Sequence, residues 1–248
     1  MAPTSLVQNL IWTLAPVLQV AILLVMWRRK LVQTFPLFFS YTAFHLIDGL
    51  LGVVIYRYPM AYFWFYWGGE GVDALLTLAV IQEVFTVTFA PYEALRKYGL
   101  LIFRCATVLL CIVAVGTAVI APSGEINKLM DALYKSDRSV QIVELGLLFF
   151  LFVFCRLFGM GWRHYVFGIA AGLIVAASIG MAALAIRTHV GQAGNYWFDF
   201  VAPSGYTLGI LMWTYYFASE KSVVPLNIVP RTDQLIAWNQ ALSRVGQR

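Results

Sequence analysis

The sequence predicts an all-α, polytopic membrane protein built as a seven-transmembrane-helix bundle, and three observations carry that prediction. The composition is too apolar for a soluble surface. The apolar runs have membrane-spanning length. Lys and Arg are divided unequally between the two sets of loops. Of the 248 residues, 61% are hydrophobic and 12% charged, and mean hydropathy is +0.77. A soluble domain is about 45–50% apolar and about 25% charged. Inside lipid the backbone must satisfy its own hydrogen bonds, which leaves helices or a closed barrel. Unbroken apolar runs such as Leu100 to Leu110 lack the alternation of barrel strands.

The spans are expected near Gln8–Trp27, Leu37–Tyr56, Trp67–Phe89, Gly99–Ala121, Ser139–Phe158, Tyr165–Ile186 and Trp197–Phe217. Each is close to the roughly 20 residues needed to cross a bilayer. Connections are short except Pro122–Arg138, whose polar character and Ser-Gly-Glu segment predict a surface loop. Aromatic residues from Tyr56 to Trp67, with Tyr58, Tyr62, Trp64 and Tyr66 between, mark one membrane interface.

Charge orients the chain. Twelve of the 17 Lys and Arg residues fall on one side, among them Arg28, Arg29, Lys30, Arg96, Lys97 and Arg163. The positive-inside rule makes that side cytoplasmic, with the N-terminus outside and the C-terminus inside. The expected location is the inner (plasma) membrane. Residues 1–219 form the transmembrane domain and 220–248 a cytoplasmic tail. After Pro225 and Pro230, Thr232 can cap a final helix that sets Leu235, Ile236, Trp238, Leu242 and Val245 near one face. Such a helix suits the inner membrane surface. The net charge of +5 comes without a dense basic run, so nucleic acid is not an expected partner.

A charge at a helix centre costs about 2.5–3.5 kcal/mol on insertion scales, so ionisable residues within spans are the informative ones. In the second span His45 and Asp48 share a polar face with Thr42, Gly49 and Gly52; in the third, Glu70, Asp73 and Thr77 do the same. From the helical rise, Asp48 lies about 12 Å, Asp73 about 9 Å and Glu144 about 8 Å from the outer ends of their spans. Asp199 starts the seventh span on the same side. His45, Asp48, Glu70, Asp73, Glu144 and Asp199 are therefore the candidate lining of an outward-facing cavity for a cation, a proton or a small polar ligand. The alternative is that these acids are paired with Arg57, Arg138 or Arg187, or hydrogen-bonded between helices. Towards the inner side, Glu83 lies level with Arg104 and Arg156 and is expected to form an ion pair there.

Enzyme signatures are not apparent. No nucleophile triad or phosphate-loop spacing occurs. The three histidines, His45, His164 and His189, fall at three depths, which argues against a shared metal or a two-histidine haem. Every Lys lies in a loop or the tail, away from any retinal-type Schiff base. Cys105, Cys111 and Cys155 suggest no disulfide, and no cofactor is expected.

The spacing of the spans, together with the inner-loop segment Phe89-Ala90-Pro91-Tyr92-Glu93-Ala94-Leu95-Arg96-Lys97, resembles uncharacterised seven-helix membrane proteins of bacteria. More loosely, it resembles the seven-helix input modules of bacterial sensor kinases. The resemblance implies ligand sensing in the inner membrane and transfers no residue roles. No kinase, cyclase or phosphodiesterase domain follows the spans, so output is expected to pass to a separate protein at the cytoplasmic face. The expected function is thus a non-enzymatic sensor or signalling module. The alternatives are an accessory subunit of a larger membrane complex and a small transporter or intramembrane enzyme using His45, Asp48 and Asp73.

Overall fold

The structure is a computed structural model of the full chain. It describes the backbone of residues 3–90, 126–157, 164–190 and 194–219, six positions between 100 and 112, and residue 240. Side chains are described for 13–90, for 139–183 apart from 154 and 156–164, for 201–219 apart from 202, and for the scattered positions.

Six helices are described: α1 (Pro3–Arg28), α2 (Pro36–Ile55), α3 (Pro59–Thr88), α4 (Ile126–Leu157), α5 (His164–Val190) and α6 (Gly194–Ala218). Among the described residues three segments are long and apolar enough to cross a membrane, namely Pro36–Ile55, Pro59–Thr88 and Tyr165–Ala183. Leu100, Leu101, Arg104, Cys105, Val108 and Ile112 of the predicted fourth span are also helical. Leu101, Arg104, Cys105, Val108 and Ile112 are exposed at three- and four-residue spacing, so they form one helical face. The remainder of that span and the proposed amphipathic tail lie outside the described residues, apart from Gln240.

Two expected boundaries are corrected. The third helix begins at Pro59 rather than Trp67. Proline at the first helical position is pre-organised for the helix, and the aromatic run carries no breaker, so Tyr62 to Trp67 ride on two added turns. At 30 residues α3 is about 45 Å long, exceeding the hydrocarbon core of about 30 Å. The second correction concerns the expected loop Pro122–Arg138, most of which is helix, because α4 starts at Ile126. Its Leu129, Met130, Ala132 and Leu133 are helix formers, and polarity alone does not stop a helix outside lipid.

The most intimate helix pair is α5 with α6, and glycine makes it so. A Cβ on Gly205 would stand 2.6 Å from the Ile179 side chain, and one on Gly172 would overlap the Trp213 indole. Small residues let transmembrane backbones approach, where dispersion contacts rather than hydrophobic driving force hold helices together. Trp213 is fully buried, and its Nε1–H donates to the Ile169 carbonyl at 3.2 Å. Phe38 meets Trp213 edge-on at 5.1 Å and stacks on Phe217 at 5.5 Å, joining α2 to α6. Ile22 and Met26 bring α1 into the same core, while Val80, Ile81 and Val84 bring α3 and Leu148 and Leu151 bring α4.

One end of the bundle is tied by backbone capping. Phe35 precedes α2, whose first amides have no intrahelical partner. Leu37 and Phe38 donate these N–H groups to the two carboxylate oxygens of Glu83 on α3, at 2.8 and 2.9 Å. At the same end Arg29 donates to the terminal carbonyls of α6, 3.2 Å to Ala218 and 3.3 Å to Ser219, and to the Tyr165 hydroxyl at 3.3 Å. Acid at a helix start and base at a helix end both complement the macrodipole.

Candidate functional site

Four of the expected ligand residues meet in one cavity. It has a volume of about 260 Å³ and is lined by Tyr41 and His45 of α2, Glu70, Asp73, Ala74 and Thr77 of α3, and Val140, Gln141 and Glu144 of α4. Leu173, Ala176, Ala177 and Gly180 of α5 and Tyr206 of α6 complete the wall. Five helices contribute, so the site is a product of the bundle and of no single segment.

Helical spacing delivers these groups. Tyr41 and His45 are one turn apart on α2, and Asp73 and Thr77 one turn apart on α3. The two helices run antiparallel from the Glu83 cap. From that cap His45 stands about 10 Å along α2 and Asp73 about 15 Å along α3. Their side chains join at 2.8 Å, His45 Nε2 to Asp73 Oδ1, with relative exposures of 20% and 32%. Thr77 Oγ1 donates to the same oxygen at 3.5 Å. The pair is charge-assisted when the imidazole is protonated.

The His45 ring is also clamped by aromatic neighbours, Tyr41 at 4.5 Å and Tyr206 at 4.8 Å between centroids. Tyr206 is positioned in turn by Gln19, a buried residue of α1 whose amide Nε2 donates to the tyrosine hydroxyl at 2.9 Å. Glu144 is buried on the α4 wall.

Asp48 and Asp199 do not join this group in the same way. Asp48 does not line the cavity; its carboxylate packs over α3 one layer beyond the His45–Asp73 pair, with Oδ1 3.0 Å from where a Gly69 Cβ would lie. Asp199 falls within α6, and its side chain lies outside the described residues. Glu83 gives its two oxygens to backbone amides of α2, and no ion pair joins it to the exposed Arg104 among the described residues. A carboxylate facing two unsatisfied helix amides is already well satisfied without a cation. The side chain of Arg156 lies outside the described residues.

Sequence reading passed over Tyr41, Gln141, Tyr206 and Gln19. Gln141 had a usable signal, sitting three residues before Glu144 on one helical face. Tyr206 and Gln19 were visible only as polar groups in mid-span, which gives no partner. No family model, curated protein or solved structure matches the chain.

Proposed function

We propose that the chain is a seven-span, non-enzymatic sensor with its N-terminus outside, binding a small polar ligand or cation in the cavity between helices and passing the signal to a separate cytoplasmic partner. The observation that carries this reading is the convergence of His45, Glu70, Asp73 and Glu144 on one cavity beside an apolar core. Ionisable groups are expensive within a membrane and concentrate where a ligand or ion is handled. The 12-to-5 distribution of Lys and Arg supports the orientation.

A packed route from the cavity to the capped end supports transduction. His45 touches Tyr41, Tyr41 lies edge-on to Trp213 at 5.9 Å, and Trp213 meets Phe38. Phe38 stacks on Phe217, which lies 5.3 Å from Tyr165, the residue whose hydroxyl accepts from Arg29. A change in the His45–Asp73 contact would thus bear on the end of α6, after which the tail begins in sequence.

The test is gentle purification from the native membrane with mass spectrometry of co-eluting proteins, run on wild type and on Asp73→Asn. A stoichiometric partner whose capture or activity changes with Asp73→Asn supports the sensor. A partner indifferent to that substitution favours an accessory subunit. Flux of an added solute in proteoliposomes, lost in Asp73→Asn, would replace the sensor reading with a carrier.

A further inference from the structure

We infer that the end of α1 binds an anionic phospholipid, with Arg28 and Lys30 taking its phosphate and the exposed face of α1 taking an acyl chain. This site is independent of the cavity. The helical period sorts α1 into two faces. Gln19, Ile22 and Met26 are buried and recur at three- and four-residue steps, and Arg29 follows three residues after Met26. Val17, Val20, Leu24 and Trp27 recur at the same steps and are exposed, and Arg28 follows four residues after Leu24. Two adjacent arginines are thus sent to different faces, one into the bundle and one onto the apolar outer stripe.

That division decides which bases can meet a ligand. Arg29 is taken up by the protein itself, through the Ala218 and Ser219 carbonyls and the Tyr165 hydroxyl. Arg28 and Lys30 are exposed, and their side chains enter no hydrogen bond or ion pair among the described residues. Lys30, in the left-handed turn just after α1, adds a second positive charge at the same end as Arg28. Glu83, the acid described at this end, gives both its oxygens to α2. A guanidinium fork matches two phosphate oxygens at once, and an ammonium adds a compact charge beside it.

Length makes the anion a lipid. Val17 and Trp27 are ten residues apart, about 15 Å of helix. That is half of the roughly 30 Å hydrocarbon core, the depth of one leaflet. An acyl chain lying along Val17, Val20 and Leu24 therefore brings its headgroup level with Trp27 and Arg28. Trp27 is 70% exposed, and an indole suits that boundary because its body is apolar and its N–H is polar. A free phosphate would meet the two bases alone and gain nothing from the apolar stripe that leads to them.

The test uses the full chain in a non-ionic detergent. Thermal stability is read while short-chain phosphatidylglycerol, short-chain phosphatidylcholine or inorganic phosphate is added. Phosphatidylglycerol is expected to raise Tm saturably, and the other two at the same concentrations are expected not to. Arg28→Gln combined with Lys30→Gln should leave the lipid-free melt unchanged and weaken the phosphatidylglycerol Kd roughly tenfold or more. Arg57→Gln removes an exposed base at the other end of α2 and should leave that Kd as in the wild type. Added sodium chloride should weaken it in the wild type, a readout that stands if the double variant folds poorly. An equal shift with phosphatidylcholine would reduce the site to an apolar face, and an equal shift with phosphate would reduce it to anion binding. An equal loss in Arg57→Gln would reduce it to diffuse net charge. Any of these three results overturns the lipid site, as does a wild-type Kd in the double variant or no shift with phosphatidylglycerol at all.

Discussion

Asp73 accepts from Thr77 and faces His45, so its charge and geometry are coupled to two other helical positions. Replacing it with Asn keeps the shape and removes the charge. Such a change at a half-buried charged hydrogen bond is expected to cost about 1–3 kcal/mol, and a thermal melt of the purified variant reads it. Gln19 acts at one remove. Gln19→Leu is near in size but frees the Tyr206 hydroxyl, and a loss of about 1 kcal/mol is expected. A melt no lower than wild type would show that the Gln19–Tyr206 bond contributes nothing to stability. Lys30 is a different case. Its φ of 56° is the only positive value among the described non-glycine residues, and it turns the chain after α1. Glycine adopts that conformation without the Cβ penalty. Lys30→Gly should therefore hold or raise stability by up to about 1 kcal/mol, seen as an unchanged or higher Tm.

Between elements, capping and close packing decide which helices are held together. Glu83 gives both oxygens to the start of α2, a bidentate acceptor that only a carboxylate can supply. Glu83→Gln would turn an amide NH₂ towards one of those N–H groups. The expected cost is about 1.5–3 kcal/mol, in a denaturation experiment on the reconstituted protein. An ion-pair role would instead show up as rescue on neutralising a nearby arginine. The α5–α6 contact makes a steric prediction. Gly172 admits the Trp213 ring where any side chain would collide, so Gly172→Ala is expected to destabilise by about 1–3 kcal/mol. Gly49, which has nothing within reach of an added Cβ, should tolerate the same change and serves as the control.

For the molecule as a whole, α2 and the helical positions from Leu101 to Ile112 present rows of exposed apolar side chains, including Ile47, Leu50, Val53 and Val54. In water such surface would drive aggregation; in lipid it is the solvated face. The proposed orientation makes a labelling prediction. A cysteine placed at Tyr58, beyond the end of α2, should react with an impermeant thiol reagent in intact cells, whereas one placed at Lys30 should react only after lysis. The reverse pattern would invert the topology and move the output to the other face.

Composition and apolar run length determined the helical, membrane-embedded character of this protein, because lipid permits so few ways of satisfying a backbone. Helical period was enough to put His45 on one face of α2 and Glu70 with Asp73 on one face of α3. Which of these faces meet was beyond sequence, since period gives an angle about an axis and no information on neighbouring helices. Only the tertiary structure separated Asp48, turned onto Gly69, from His45, one turn away and joined to Asp73. It likewise gave Glu83 a helix end to cap, because the amides left open at the start of α2 are a feature of backbone geometry that no residue type announces. Tyr206 and Gln19 enter the site for the same reason: they lie 187 positions apart in the chain, and only the packing of α1 against α6 makes them partners.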